Sequence, residues 1–308
     1  MKKIYLLIVI FFSTNFVLGQ QEQMYSHYDV NSMSFNPAYT GMKGQFSALA
    51  LVRRQWTGFA GAPNYNTLNV EQPLNSDFAV GLNISQGSIG DFKNASPLRE
   101  LHIGANLGYH KTIADGIRLA VGVRLGYYAY NLNLTQLDVK DANDPDFQNS
   151  NYSISAPMAG FGTLLYSEKF FVGFASPQMV FLNSADNNYT YNSKLHYYAT
   201  GGYVFDLTDK FKSKVTTQIR MVEGAPVQAD FNLHLVYLDN ISVGTFVRTE
   251  GDVGLMISGD ISPKWRLFYS WDSKIQPLNE YVRNSHEFGL KFQLPTNNWY
   301  REVLPRYF

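Results

Sequence analysis

The sequence predicts an all-β fold, a transmembrane antiparallel β-barrel of about 14 strands and of outer-membrane type. Three observations carry this expectation. Segments of roughly 9–12 residues alternate between apolar and polar or small side chains, as tilted bilayer-crossing strands do. Tight connections alternate with connections that are often long. An N-terminal export segment is followed by no apolar run near the ~20 residues that a spanning helix needs.

The export segment comes first. Lys2 and Lys3 form a charged start, Ile4 to Phe12 is almost wholly apolar, and Val17-Leu18-Gly19 supplies small or apolar residues before a cleavage point. This pattern marks residues 1–19 as a secretory signal peptide, with the mature chain starting near Gln20. Residues 20–43 are polar and carry the turn signal Asn36-Pro37-Ala38-Tyr39. They form an N-terminal segment that is either periplasmic or folded into the lumen as a plug. The barrel is expected over 44–294, and 295–308 is expected to be a periplasmic C-terminal tail free to dock.

The strands show themselves by a period of two. In Ile117–Tyr127 the odd positions are Ile, Leu, Val, Val, Leu and Tyr, while the even ones are Arg118, Ala120, Gly122, Arg124 and Gly126. Phe78, Val80, Leu82 and Ile84 oppose Ala79, Gly81, Asn83 and Ser85. Phe231, Leu233, Leu235 and Tyr237 oppose Asp230, Asn232 and His234. Phe288, Leu290 and Phe292 oppose Glu287, Gly289 and Lys291. Aromatic residues near strand ends (Tyr127, Tyr130, Tyr197, Trp265, Tyr269 and Trp271) suit headgroup depth. In the first strand the alternation is weak. Ala48 to Val52 runs straight into Arg53-Arg54-Gln55-Trp56, which is expected at the outer interface, with arginine snorkelling and tryptophan anchoring.

Tight connections are expected at Leu74–Asp77, Ala114–Gly116, Ser167–Lys169, Leu207–Lys210, Leu238–Asn240 and Ser262–Lys264. Long ones are expected at Gln86–Pro97, Leu132–Ser155, Pro177–Ser193 and Ile275–Asn284. Outer-membrane barrels place short turns in the periplasm, and an even strand count puts both termini there. A soluble sandwich or propeller also alternates. Against it, arginine and lysine recur on the inner face, where a sandwich needs apolar packing, and no repeat of propeller-blade length stands out.

Composition excludes several function classes. Lys+Arg and Asp+Glu are both 25, so no basic surplus points to nucleic acid. With no cysteine there is no disulfide framework, thiol nucleophile or Cys-based zinc site. Ser285-His286-Glu287 is the one local hydrolase-like run, but neighbouring strand residues face opposite ways and cannot form a triad. The acidic run at 138–146 departs from a calcium loop, since Pro145 stands at its fifth position counted from Asp141 and its glycine is missing. A solvated loop is expected there, with calcium as the alternative. Neither a catalytic residue nor a cofactor or metal ligand is assigned. The mixed charges Arg118, Arg124, Arg220, Arg266, Asp230, Glu287 and Lys291 on the inner face predict salt bridges across the lumen or to a plug.

Several motifs then resemble one family. Asn36-Pro37-Ala38-Tyr39-Thr40-Gly41, Arg54-Gln55-Trp56-Thr57-Gly58-Phe59 and Gly61-Ala62-Pro63 are similar to the N-terminal signature of PorP/SprF proteins. Further along the chain, Asp144-Pro145-x-Phe147, Phe170–Pro177, His196-Tyr197-Tyr198 with Gly201-Gly202-Tyr203, and Ser285-His286-Glu287 match in the family's order. The resemblance implies a noncatalytic outer-membrane component of the type IX secretion system. Its partners would be other secretion subunits, the lipid bilayer and secreted surface cargo, such as the C-terminal domain of a gliding adhesin. The interaction candidates that it suggests are Asn36, Pro37, Tyr39, Gly41, Arg54, Gln55, Trp56, Gly58, Gly61, Pro63, His286 and Glu287. From another class comes a passive diffusion channel or a porin- or fatty-acid-type transporter. An outer-membrane lipase or protease is a third.

Overall fold

The computed structural model describes residues 23–90, 97–133, 151–181, 194–275, 284–294 and 308. Residues 1–19, expected to be a signal peptide, the acidic run at 138–146, the Asp144-Pro145-x-Phe147 motif and tail residues 295–307 lie outside the described residues.

A short helix, α1 (Ser32–Phe35), and a 3-10 turn (Pro37–Tyr39) come first. The strands follow: β1 (Phe46–Arg54), β2 (Asn64–Pro73), β3 (Phe78–Ile89), β4 (Leu98–Ala114), β5 (Ile117–Asn133), β6 (Asn151–Tyr166) and β7 (Phe170–Val180). The second half is β8 (His196–Asp206), β9 (Phe211–Val222), β10 (Gln228–Tyr237), β11 (Ile241–Arg248), β12 (Asp252–Ser262), β13 (Trp265–Lys274) and β14 (Ser285–Leu294). Each strand pairs antiparallel with its sequence neighbours. The seam closes where β1 meets β14, with Phe46 opposite Leu294 and Arg54 opposite His286. A closed sheet has no open edge, the condition under which backbone amides can enter a bilayer.

The connections follow the expected layout. Tight turns join β2–β3, β4–β5, β6–β7, β8–β9, β10–β11 and β12–β13 on one rim, which is also where β1 begins and β14 ends. Leu238 and Asp239 adopt positive φ, 50° and 58°, in one of these turns. The opposite rim carries the longer connections. β4, β5 and β6 run 17, 17 and 16 residues, more than the about 9–11 that a tilted strand needs to cross. Past Tyr109, β4 overruns the start of β3 on the tight-turn side, while β6 begins beyond the end of β7 on the long-connection side.

The outward face is an apolar band, as in Val121, Val123 and Leu125 of β5 and Leu233 and Leu235 of β10. Aromatic pairs gird the tight-turn end: Phe78 with Tyr109, Phe211 with Tyr237 and Trp265 with Phe292, at ring separations of 4.9, 5.0 and 4.7 Å. Tyr130 differs from expectation. It shares the parity of buried Tyr128 and so lies on the inward face of β5. Among the described residues, no helix is long and apolar enough to cross a membrane.

The lipid-facing band yields a first prediction. Leu233→Arg puts a charge at the middle of β10 on the outer face and should lower the folding free energy in bilayers by about 2–4 kcal/mol. Urea titration of vesicle-inserted protein measures it. An unchanged midpoint would mean that this face does not meet lipid.

Candidate functional site, a segment packed inside the barrel

Residues 23–45 run through the barrel interior from one rim to the other. At the start, Gln23 accepts a hydrogen bond from Ser85 toward the long-connection end of β3. At the finish, Gln45 bonds Gln293 beside the tight-turn rim, Nε2 to Oε1 at 3.0 Å.

Local chemistry shapes the segment. Asn36 caps the 3-10 turn, its Oδ1 accepting from the Ala38 N–H at 2.8 Å, and Pro37 occupies the first helical position. The Asn36 Nδ2 donates to the Thr163 carbonyl of β6 at 3.0 Å. The Arg124 guanidinium of β5 donates to the carbonyls of Met33 and Ser34 at 2.5 and 3.1 Å. These carbonyls belong to α1, whose end the cation satisfies. The Thr40 carbonyl takes a 2.7 Å bond from His110 Nε2. A carbonyl only accepts, so Nε2 carries the proton and Nδ1 accepts from the Tyr166 hydroxyl at 2.9 Å. The Tyr39 ring packs edge-on against Phe171 and its hydroxyl meets Thr200 at 3.1 Å.

Barrel glycines make room for this turn. A Cβ on Gly162 would lie 2.0 Å from Asn36 Oδ1, one on Gly122 2.2 Å from the Pro37 carbonyl carbon, and one on Gly108 2.4 Å from the Thr40 carbonyl oxygen. Three strands thus lack side chains where the Asn36 amide and the backbone of Pro37 to Thr40 lie against the wall.

Toward the other rim the segment meets a buried charge network. Glu287 on β14 accepts from the Ser26 and His27 backbone N–H groups, both at 2.9 Å, and from His27 Nδ1 at 2.9 Å. Arg53 lies 3.6 Å from Glu287 and grips both oxygens of Asp272, at 2.8 and 3.0 Å. Arg248 reaches Asp230 at 3.3 Å and Asp252 at 3.8 Å, and it donates to Ser26 Oγ at 3.3 Å. Arg220 joins Asp230 at 3.0 Å and Lys274 joins Asp252 at 3.2 Å. The four cations Arg53, Arg220, Arg248 and Lys274 balance the four anions Glu287, Asp272, Asp230 and Asp252. Deeper in, Asp29 pairs with Lys214 at 2.5 Å. Burial pushes the Asp29 carboxyl up, but the Lys214 ammonium, helped by His234, overrides it and holds the group well below the usual carboxylate range.

The candidate residues fall into separate groups. Asn36, Pro37, Tyr39 and Gly41 belong to the inner segment, with Gly41 at φ 81° and its Cβ position 2.1 Å from the Ala79 methyl. Gln55, Trp56, Gly58, Gly61 and Pro63 form the β1–β2 connection at the far rim. There the Gln55 N–H donates to the Pro63 carbonyl at 3.0 Å. Trp56, with φ 51°, donates to Ser285 Oγ at 3.3 Å. Arg54 points outward and bonds Asn66 at 3.2 Å. His286 also points outward, 2.9 Å from the Tyr269 hydroxyl, whereas Ser285 and Glu287 point inward. Arg53 corrects the expectation for the Arg-Arg pair: it is fully buried in the lumenal network and does not snorkel. Sequence reasoning did not single out Asp272, Arg248, Asp252, Lys214, Asp29 or His27. Their strand parity, matching Asp230 and Glu287, was the available signal for those in the wall. Phe308 is buried against Phe171 at 4.5 Å, in a cluster with Tyr39 and Met42, so the end of the tail is not free.

This geometry defines an outer-membrane-type barrel whose bore is filled by the chain's own N-terminal segment. The chain belongs to the PorP/SprF family of type IX secretion system membrane proteins, whose family model matches residues 17–292 and thus includes the inner segment. Among solved structures it is similar to the Pseudomonas putida toluene transporter TodX, with 10% identity, TM-score 0.51, and coverage of 87% of this chain and 94% of that one. The Acinetobacter baumannii outer membrane protein Omp33 is also similar, with 10% identity, TM-score 0.47, and coverage of 81% and 98%. So is the KdgM porin, with 8% identity, TM-score 0.38, and coverage of 81% and 99%. At such identities the likeness shows the fold alone. No curated protein matches the chain.

Two outcomes are expected. Gly122→Val should dislodge the Asn36–Thr40 turn, cost about 1–3 kcal/mol by overpacking, and open the bore. The readouts are the heat needed to lose the folded gel mobility and conductance steps in planar bilayers, expected in the variant alone. The second concerns acid. The folded Asp29 pKa is depressed, so its contribution is present above the ordinary aspartate range and lost as pH falls through that range toward the lower folded value. Asp29→Asn should therefore flatten the acid side of the stability profile in thermal melts.

Proposed function

We propose that this chain is a noncatalytic outer-membrane component of the type IX secretion system. It supports secretion or surface attachment of cargo, such as gliding-motility adhesins, through contacts made at its rims. The observation that carries this reading is the filled bore: the inner segment bonds β2, β3, β4, β5, β6, β8, β9, β11 and β14. A wall so fully bonded from inside serves as a platform, and a pore would need this segment removed. In the orientation usual for such barrels, the long connections face outward and the tight turns face the periplasm. Other secretion subunits and the C-terminal domain of a surface adhesin are the partners proposed.

The rival reading is a passive channel. A deletion strain should lose its surface adhesin while solute uptake stays unchanged, and tagged protein should recover secretion subunits or a large surface protein from membranes. Liposome swelling by the native protein, with adhesin display intact in the deletion strain, would overturn the proposal in favour of the channel.

A further inference from the structure

On the side of the bore away from the Asn36–Thr40 turn, a cavity of about 280 Å³ opens toward the tight-turn rim between β9–β14 and the inner segment. Its charged lining sets Lys43, Lys214, Arg266 and Lys291 against Asp29, Asp239 and Asp260. Arg266 is matched by Asp260 at 3.0 Å and Lys214 by Asp29 at 2.5 Å. Asp239 also lines the space but reaches out to Lys212. That leaves Lys43, at the end of the inner segment, beside Lys291 of β14. Among the described residues, neither ammonium has a carboxylate within ion-pair distance. The nearby Glu71 carboxylate acts on Lys43 through space while it accepts from the Gly41 N–H at 2.7 Å and Ser47 Oγ at 2.6 Å. Lys291 is buried. Two lysine amines side by side, one of them withdrawn from water, cannot both carry a charge without repelling each other.

We propose that the Lys43–Lys291 pair and the cavity in front of it form a binding site for a small oxyanion, a phosphate or a carboxylate, reached from the tight-turn rim. An oxyanion offers negative charge shared over several acceptor atoms, which the Lys291 ammonium and a reprotonated Lys43 can grip from one side. The cavity is far larger than a water molecule needs, and Arg266 and Ser258 extend its polar wall. Burial, together with the Lys291 ammonium, holds the Lys43 amine well below the usual lysine range. A bound anion would relieve that repulsion. The site is independent of the secretion role proposed above.

The test uses the mature full-length chain in detergent micelles, titrated with inorganic phosphate and, separately, with acetate at matched ionic strength. Calorimetry and the side-chain nitrogen resonances of lysine are the readouts. Saturable one-to-one binding is expected, and the stronger of the two titrants identifies the oxyanion type. Lys291→Gln and Lys43→Gln should each weaken it about ten- to a hundredfold, the loss of a charge-assisted hydrogen bond. Lys210→Gln, on an exposed tight turn, should bind as the native protein does. Should Lys291→Gln fail to fold, judged by gel mobility, Lys43→Gln decides alone. No saturable signal from either anion, native affinity in the lysine variants, or an equal loss in Lys210→Gln would overturn the proposal.

Discussion

Ionised side chains on the inside of a cylinder must be solvated by water or by other polar groups. This bore uses the second solution. Glu287 shows the constraint most clearly: it is fully withdrawn from solvent, and its oxygens are met by two backbone N–H groups, an imidazole and a guanidinium. Two of those partners are the backbone of Ser26 and His27, which only the inner segment supplies. Wall and segment are therefore not separable layers. Removing a single charge from such a network would strand its partner, a loss of the order of 3–5 kcal/mol.

The same dependence explains what could be read from the sequence. In Ile117–Tyr127 the lipid face is apolar and the lumenal face is small or cationic, so a period of two is plain and the strand is legible. In β1 it is not. Leu49 and Leu51 point inward to pack with Tyr25, Tyr28 and Phe35, while Ala48, Ala50 and Val52 point outward. Both faces of β1 are apolar because its inner face meets protein instead of water. The alternation fails where the interior is packed, and Arg53 could then be mistaken for a rim residue. The tight turns were legible because their short polar runs interrupt strong alternation. Partners far apart in sequence, such as Arg53 with Asp272 or Lys214 with Asp29, were not, because they depend on register around the whole sheet.

Glycine had a visible signature with a hidden cause. Gly108, Gly122 and Gly162 stand out as interior strand glycines, and sheet curvature accounts for them in general terms. The structure adds a specific reason, namely the Asn36 side chain and the backbone of Pro37 to Thr40 lying against three bare positions. The Asn-Pro-Ala-Tyr run and these glycines form one complementary surface although they lie far apart in the chain.

The way the inner segment is anchored has a mechanical consequence. Gln45 leads directly into β1 at the tight-turn rim, while Gln23 lies near the opposite mouth. At the tight-turn mouth the segment is continuous with the wall, while at the other mouth, among the described residues, it is held by side-chain bonds alone. The covalent link at Gln45 thus makes the two mouths of the cylinder inequivalent.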